Sequence, residues 1–379
     1  IGGGTAWLCA TCRFPGQKFF EWALLLPLAI PTYTIAFSYG GLLEYAGPVQ
    51  SGLRGIFGWS RDEYWFPEIR SVPGAIVVMA FVLYPYVYLL GRSVFIGQSQ
   101  TSSEMSRALG RGPWRTFAAV SLPLARPAMI AGVALMVMEA LSDFGAVQYL
   151  GVDTFTTGIY RTWFALGAPQ AAAQLSAMLL LFVFAAMLTE QWSRGKARYH
   201  QVTGRDRLRH SIKLRGMRAL SATIFCSLPL ILGFLVPCTQ LVLWTLESWT
   251  DVIDRRFLDY AWHSVSLAAL TSVLAIVLAL ALRYSLRIKG GWRNQLCVRF
   301  AALGYAVPGS VIAVGVLLPF GWVDQKIDDF SRDWLDVSTG LLLTGGIAVL
   351  VFGYLVRFLA VALGAVAVGV SVALVMLVV

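Results

Sequence analysis

The run SVPGAIVVMAFVLYPYVYLLG, at residues 71–91, contains no Lys, Arg, Asp or Glu. About 20 apolar residues are enough for a helix to cross the hydrocarbon core of a bilayer, so this run fits a membrane-spanning helix. Comparable runs occur on both sides of it, at 22–43, 171–189, 219–246, 264–282, 300–323 and 337–356. The sequence therefore predicts an all-α fold, a polytopic bundle of transmembrane helices.

The composition supports the same fold class. Hydrophobic residues make up 58% of the chain and charged residues 13%, whereas a soluble domain carries roughly a quarter charged residues. The first apolar stretch, residues 1–12, starts at Ile1 without an initiator methionine. We expect it to be the end of a helix whose start lies before Ile1.

The net charge of +10 is divided unevenly between alternate connections of the predicted helices. The connections 13–18, 92–126, 190–218 and 283–299 hold 21 basic and 3 acidic residues. The connections 44–70, 151–170, 247–262 and 322–338 hold 8 basic and 14 acidic residues. Because basic residues concentrate in cytoplasmic loops, the first set is predicted to be cytoplasmic and the second extracytoplasmic. The charge therefore indicates a membrane topology and not a nucleic-acid-binding patch.

The basic segment 194–218 separates two parts of the chain that resemble each other. Aligning Pro31 with Pro308 places AIP on AVP, and VLYPYVYLL (82–90) then matches LVFGYLVRF (350–358) in the same order. A tandem duplication explains this pattern, and repeats are frequent in polytopic membrane proteins. We predict a first half at 1–193, a cytoplasmic linker at 194–218 and a second half at 219–379. The linker could also bind anionic lipid headgroups.

Prolines occur within the predicted helices, at Pro27, Pro31, Pro85, Pro229, Pro237 and Pro308. Each removes a backbone donor and is expected to kink its helix. In lipid, a freed carbonyl is tolerated where a neighbouring helix or a cavity satisfies it. Kinked helices suit a central pathway, but proline is also frequent in ordinary membrane helices, so both interpretations stay open.

The stretch EMSRALGRGPWRTFAAVSLPLARP, at 104–127, separates two apolar runs on the basic side. Ser102 or Ser103 can cap a helix that starts near Glu104. Gly110 can end that helix in the left-handed conformation. The first helix of a cytoplasmic hairpin, at 102–123, is therefore predicted here.

The second helix of the hairpin is predicted to follow Gly112. Pro113 suits the position where a helix begins, and the helix is expected to cover 114–121. It is expected to stop before Pro123, and Pro127 is expected to open the next membrane helix.

The spacing of this hairpin resembles the EAA loop of ABC importer permeases. That motif reads E-A-A, three residues, G, nine residues, I, one residue, L-P, and Glu104, Gly110 and the Leu-Pro pair at 122–123 match it. Val120 replaces the isoleucine, and residues 105–106 depart from the two alanines, which leaves the packing of that helix open. The resemblance implies that the following residues couple the helices to an ATPase: Glu104, Ala108, Gly110, Arg111, Val120, Leu122 and Pro123.

In that family the loop docks in a groove of a separate ATP-binding subunit. This chain has no G-x-x-x-x-G-K-[ST] phosphate loop, so ATP and magnesium are expected on a partner. The chain itself is expected to have no enzymatic activity and to bind no cofactor. The implied partners are an ABC ATPase dimer, a periplasmic substrate-binding protein and the lipid of the bacterial inner membrane, with no nucleic acid.

The chain most resembles the fused, two-half permeases of bacterial ferric-iron importers. The segments YPYVYLLGRSVF (84–95), FTTGIYRTWFALG (155–167) and YAVPGSVIAVGVLLPFGW (305–322) carry this resemblance. It implies the type I ABC importer permease fold, with two six-helix halves and an EAA loop in each. A second loop is expected near residue 372, but 360–379 has no charge and no such motif. Either the chain is truncated, or a segment is missing from the sequence and its ends have been joined. We favour the second explanation.

Two acidic residues lie within predicted membrane-spanning segments, Glu139 and Asp143. Four residues apart, they would share one face of a helix. Intramembrane acids are costly and are candidates for a substrate pathway, and carboxylates and phenolates are hard donors that suit ferric iron. Tyr84 and Tyr88 could add phenolates, whereas Tyr86 points elsewhere. The alternative is that both acids make interhelical hydrogen bonds or pair with an arginine.

The resemblance implies a permease that moves ferric iron, delivered by a periplasmic binding protein, by alternating access. Similar permeases serve thiamine, sulfate, molybdate or polyamines, so these substrates are alternatives. A secondary transporter driven by an ion gradient is a further alternative, and the EAA spacing argues against it. A structural membrane anchor is disfavoured by the repeated, proline-containing helices.

Overall fold

The architecture is given by a computed structural model that describes residues 1–97, 113–194, 212–252, 254–288 and 291–378. The chain begins with α1 (Gly2–Thr11), α2 (Gln17–Ala23), a 3-10 turn (Leu26–Ala29), α3 (Thr32–Leu43), α4 (Pro48–Phe57) and α5 (Val72–Gly97). It continues with α6 (Pro113–Thr116), a π-helical turn (Phe117–Ser121), α7 (Leu122–Ser142), α8 (Gly145–Tyr149), α9 (Phe155–Tyr160), a second π-helical turn (Arg161–Ala165) and α10 (Pro169–Arg194).

The remaining described elements are also helical, apart from one short strand. They are β2 (Ile212–Lys213), α11 (Met217–Leu230), a π-helical turn (Ile231–Leu235), α12 (Val236–Val252), α13 (Arg255–Ile288), α14 (Trp292–Leu303), a 3-10 turn (Gly304–Ala306), α15 (Gly309–Leu335) and α16 (Ile347–Val378). Strand β2 pairs in parallel with β1 (Cys12–Arg13), and no other strand occurs in the described ranges.

Seven helical stretches of the described residues are long and apolar enough to cross a membrane. They are Val72–Gly97, Phe117–Ser142, Pro169–Thr189, Met217–Ser248, Arg255–Leu286, Gly309–Leu335 and Ile347–Ala367. Thr32–Phe57 passes the same test together with Gln17–Ala29, from which it is bent by 89°. The predicted polytopic helical fold is therefore confirmed.

Two boundaries near residue 335 differ from the prediction. Helix α15 includes most of the predicted extracytoplasmic loop 322–338, and α16 starts ten residues later than the apolar run 337–356. The reason is a pair of carboxylates on α15. Asp324, 1% exposed, accepts the N–H groups of Leu343 and Thr344 at 2.8 Å each. One turn later, Asp328 accepts the Thr339 N–H at 2.7 Å, so both hold the following segment in a non-helical path.

The prolines do not all kink helices. Pro31 (φ −56°, ψ 137°) and Pro308 (φ −56°, ψ 141°) are the N-cap residues of α3 and α15, each after a 3-10 turn. A missing N–H costs no hydrogen bond there, because the first N–H groups of a helix have no partner within it. Pro85 and Pro229 do lie inside helices, α5 and α11. The two prolines aligned in the sequence thus share one backbone conformation.

The chain forms two compact units. Unit 1 comprises Ile1–Thr154 and Phe184–Glu247, and unit 2 comprises Phe155–Val183 and Ser248–Val379. Helix α11 follows the basic linker in the chain, yet it packs against α1 and α2 in unit 1. The predicted halves rest on repeated sequence, which indicates a duplication and not compactness, so they stay a prediction.

Glycines bring three helices of unit 1 into close contact. A Cβ atom at Gly132 of α7 would lie 2.7 Å from the Cα atom of Val87 in α5. A Cβ atom at Gly2 of α1 would lie 2.7 Å from the carbonyl oxygen of Tyr84. Small residues at helix crossings in a membrane allow this backbone approach and the dispersion contacts that stabilise it. Helix α5 therefore lies between α1 and α7 at the centre of unit 1.

Candidate functional site

The predicted hairpin is described only from Pro113 onward. Glu104, Ala108, Gly110 and Arg111 lie outside the described residues, and their coupling role stays a prediction. Val120 belongs to the π-helical turn Phe117–Ser121, and the Leu-Pro pair at 122–123 forms the first turn of α7.

The predicted break before Pro123 is wrong. The Leu122 N–H donates to the carbonyl of Phe117, five residues back, and α7 then runs through Pro123 and Pro127 without ending. A π-helical turn widens the helix by one residue and is one way in which a helix tolerates an irregular hydrogen-bond pattern. The end of the hairpin and the membrane helix α7 therefore form one continuous helical rod, Pro113–Ser142.

Phe117 joins this rod to two other helices. Its ring centroid lies 4.7 Å from that of Trp7 in α1 and 6.2 Å from that of Phe95 in α5. Both partner rings are buried, and Phe117 packs against the same hydrophobic cluster. Aromatic pairs at such distances contribute about 0.5–1.5 kcal/mol beyond the burial of their area. A displacement of the hairpin would therefore act on α1 and α5 as well as on α7.

Tyr84 and Tyr88 lie on one face of α5, one turn apart, and both are buried in the core of unit 1. The Tyr88 hydroxyl donates to the backbone carbonyl of Glu21 at 3.0 Å. The Tyr84 hydroxyl is buried and has no hydrogen-bond partner among the described residues. Tyr86 packs in a different cluster, as its position on the helix predicted. The two tyrosines sit in a packed core, and their predicted pathway role stays a prediction.

Glu21 is a central polar residue that the sequence argument missed. Its carboxylate accepts from the Arg92 guanidinium at 2.8 Å and from Gln17 at 3.2 Å, and both members of the ion pair are largely buried. Gln17 also donates to the Cys9 carbonyl at 2.8 Å. The network ties α2 to α1 and α5. The signal that could have revealed it was an acid directly before the apolar run 22–43, together with an arginine directly after the run 71–91.

Glu139 lies within α7, whereas Asp143 lies just beyond the end of that helix. Helix α7 ends at Ser142, and Asp143 is its C-cap with extended backbone angles (φ −71°, ψ 126°). Asp143 Oδ1 instead accepts the Ala146 N–H at 2.8 Å, and Thr32 at the start of α3 also hydrogen-bonds the carboxylate. The prediction that one helix carries both acids is therefore wrong at Asp143, because its carboxylate hydrogen-bonds the start of α8 beyond the end of α7. Glu139 lies in the last turns of α7, and its pathway role stays untested.

An aromatic cluster joins α3, α8 and α12. The Phe37 ring centroid lies 5.4 Å from that of Tyr149 and 5.3 Å from that of Trp244. Arg70 lies over the Tyr149 ring at 4.9 Å and forms an ion pair with Glu44 at 2.6 Å. Hydrogen bonding to Tyr149 and the nearby Glu44 carboxylate raise the pKa of Arg70, so its charge is permanent. Ring periodicity in the sequence gave no indication of this cluster, because its members come from distant segments.

The described residues contain no group of three or more His, Cys, Asp or Glu side chains placed to hold a metal ion. Hydroxyl, carboxylate and aromatic groups of unit 1 are instead distributed along α3, α5 and α7. These helices are apolar, closely packed and connected to a segment on the basic side of the chain. Together they define a polytopic helical membrane protein, and its described residues form no metal site of three or more such ligands.

Residues 2–198 match the family described as the binding-protein-dependent transport system inner membrane component. This match covers more than half of the chain, and the chain belongs to that family. The multi-pass helices agree with an inner membrane location.

Three similar proteins are described as permeases for different substrates. The chain is 29% identical over 328 residues to the Fe(3+)-transport system permease protein FbpB 2 of Haemophilus influenzae, covering 84% of this chain and 59% of that protein. It is 29% identical over 195 residues to the molybdenum transport system permease protein ModB of Escherichia coli, covering 49% of this chain and 81% of that protein. The sulfate transport system permease protein CysT of Escherichia coli is 29% identical over 145 residues, covering 38% and 50% respectively.

Proposed function

We propose that this chain is the membrane-spanning permease of an ATP-driven importer, working with a separate ATPase and a periplasmic binding protein. Membership of the binding-protein-dependent family supports this role. The absence of a phosphate loop in the sequence fits a division of labour in which the partner binds ATP. The chain spans 59% of the length of the relative described as an Fe(3+) permease.

The continuous rod from Pro113 through α7 is the observation that carries the proposal. ATP binding would close the partner ATPases and displace the hairpin at 102–123. Because Phe117 packs on Trp7 and Phe95, that displacement would reach α1 and α5 together. The helices would then open outward to accept substrate, and hydrolysis would reset the inward state. The chain itself breaks no bond.

Ferric iron is the substrate that we favour. The relative described as an Fe(3+) permease covers 84% of this chain, whereas the molybdenum and sulfate permeases named above cover 49% and 38%. Carboxylate and phenolate oxygens suit ferric iron, and Glu139 is the candidate carboxylate that lies within the membrane-spanning stretch Phe117–Ser142. Molybdate and sulfate are the alternatives that the other two relatives support, and thiamine or a polyamine is the next.

Reconstituted uptake tests the proposal. The complete transporter, with its ATPase and binding protein, is reconstituted in liposomes. It should import ferric iron only when ATP is present on the side of the membrane that carries the ATPase subunits. Molybdate, sulfate and thiamine serve as parallel substrates in the same vesicles. Uptake of an oxyanion in place of iron would change the substrate assignment but leave the permease role intact. Iron uptake driven by an ion gradient without the ATPase would overturn that role.

Docking of the hairpin is tested separately with Gly110→Asp. A carboxylate and a Cβ atom at a predicted left-handed turn should weaken binding of the ATPase subunit and abolish coupled uptake. Gly315→Ala, in α15 where no atom lies within 4 Å of an added Cβ, is the control and should bind the ATPase normally. Undiminished docking of the Gly110→Asp variant would contradict the assignment of this hairpin.

A further inference from the structure

The strand pair β1–β2 places cations of two distant segments side by side. Cys12 pairs with Ile212 and Arg13 pairs with Lys213 in parallel register. The Leu214 N–H donates to the Arg13 carbonyl at 3.0 Å, which extends the pairing by one residue. Paired residues of parallel neighbours project to the same face of a ladder, about 4.8 Å apart.

The two faces of this ladder differ in character. On the inner face, Cys12, Phe14, Ile212 and Leu214 pack into the hydrophobic core of unit 1. The alternate residues on the outer face are exposed and basic: Arg13, Lys213 and Arg215. Because the inner face is fixed by the core, the three cations are held on one side. We refer to these three residues as the basic ladder.

Acidic side chains do not neutralise the basic ladder among the described residues. No ion pair or side-chain hydrogen bond is found for Arg13, Lys213 or Arg215 in that part of the chain. Glu21, the acid on the adjacent helix α2, is held by Arg92 at 2.8 Å. Lys18, also exposed, adds a further positive charge at the start of α2. The outer face of the ladder therefore carries several positive charges that no acidic side chain of the described residues neutralises.

Exposed apolar side chains follow the basic ladder in both of its chain segments. Phe19 and Trp22 of α2 are 62% and 76% exposed, and Met217 and Leu220 of α11 are 79% and 54% exposed. Both helices start within four residues of the ladder, and α11 opens the membrane-spanning stretch Met217–Ser248. Exposed apolar residues therefore stand close in the chain to the three cations, at the start of a helix long and apolar enough to cross a membrane.

We propose that the basic ladder binds the headgroup phosphate of an anionic phospholipid in the cytoplasmic leaflet, with the acyl chains against Phe19 and Trp22. Charge complementarity supplies the attraction, because anionic lipids attract Lys and Arg near the membrane surface. The neighbouring apolar residues fit acyl chains better than the polar surface of a protein partner. This site is independent of the proposed substrate, and one bound lipid would contact the first half through Arg13 and the linker through Lys213 and Arg215.

Native mass spectrometry of the purified full-length chain in detergent tests the site. Phosphatidylglycerol should bind at least tenfold more tightly than phosphatidylcholine of the same acyl chains. Changing Arg13→Gln, Lys213→Gln and Arg215→Gln together should weaken phosphatidylglycerol binding about 100-fold, since each cation near the surface contributes about fivefold. Phosphatidylcholine binding should not change.

Two variants control for net charge and for folding. Arg255→Gln, Arg256→Gln and Lys326→Gln remove three exposed charges from the predicted extracytoplasmic side and should leave phosphatidylglycerol binding intact. Arg13→Lys with Arg215→Lys keeps the charge and should retain the tight binding. If the triple glutamine variant does not fold, the preference of the unchanged chain and its loss at high salt still decide the question.

Equal binding of the two lipids by the unchanged chain would overturn the proposal. So would a triple variant that keeps its phosphatidylglycerol affinity. A third contrary result is a triple variant that loses affinity for the ATPase subunit while its lipid binding stays normal, because the basic ladder would then be a protein contact.

Discussion

Gly132 shows how a single missing side chain sets the distance between two helices. A Cβ atom there would lie 2.7 Å from Val87 Cα and 3.2 Å from the Tyr86 carbonyl oxygen, both of which are backbone atoms. Backbone cannot rotate away as a flexible side chain can, so α5 and α7 would have to separate. The residue therefore controls the packing of the helix that carries the candidate site.

Gly132→Ala should destabilise the chain for this reason. Overpacking of a closely packed interior costs about 1–3 kcal/mol, and thermal unfolding in detergent should show a correspondingly lower Tm. Gly315→Ala is the matched control, because no atom lies within 4 Å of its added Cβ and alanine is the better helix former. A Gly132→Ala variant as stable as the control would refute the close packing of α5 on α7.

Asp143 and Glu139 can be separated by neutral replacements of the same shape. Asparagine at 143 keeps an oxygen that can accept the Ala146 N–H, so Asp143→Asn should fold normally. If its charge also serves the pathway, iron uptake by the complete transporter should fall at least fivefold. Glu139→Gln should lower uptake by a similar or larger factor without changing expression. Unchanged uptake in both variants, at normal expression, would show that neither carboxylate lines the pathway.

At the scale of elements, Phe117 is the contact that joins the hairpin's rod to α1 and α5. Phe117→Ala removes two aromatic contacts and leaves the surface of the hairpin itself unchanged. The ATPase should still bind, while substrate uptake per ATP hydrolysed should fall at least tenfold. The measurement is simultaneous ATPase and uptake assays in the same proteoliposomes.

Leu124→Ala provides the control for that prediction. Leu124 lies on α7 beside Pro123 but is 39% exposed, so its truncation should leave coupling near the level of the unchanged chain. Equal loss of coupling in both variants would mean that α7 responds to any lost apolar side chain. Phe117 would then not be the specific link.

Elements explain much of what the sequence could and could not reveal. Apolar runs identified the membrane-spanning helices, because length and hydropathy are local properties. The end of α7 at Ser142 was missed, since Asp143 stops the helix by accepting N–H groups of a later segment. Likewise, the loop before α16 is set by Asp324 and Asp328 on another helix. A pattern read along the chain cannot contain such partners.

At the scale of the whole molecule, the placement of α11 in unit 1 could not be predicted from the repeat. Repeated motifs around Pro31 and Pro308 indicate ancestry, whereas packing depends on which apolar faces fit together. Cys226 of α11 is fully buried and lies in the same hydrophobic cluster as Cys9 of α1. The first and second sequence parts therefore share one hydrophobic core.

This shared core predicts a specific cross-link. Mild oxidation with a membrane-permeant oxidant should join Cys9 and Cys226, because both are free thiols buried in one hydrophobic cluster. With a protease site inserted in the linker 194–218, the two fragments should migrate together without reducing agent and separately with it. Cys226→Ala should abolish the joined band, and a joined band in that variant would place another cysteine pair there.

The parallel pairing of Arg13 with Lys213 also imposes an order on synthesis. The ribosome must add about 200 residues after Arg13 before its partner exists, which at roughly 5–20 residues per second takes about 10–40 seconds. During that interval the inner face of β1 lacks its neighbour, and α1 lacks the helix that carries Cys226. The segment around β1 therefore completes its packing late although it is made long before β2, and a factor that protects nascent membrane helices would act there throughout that interval.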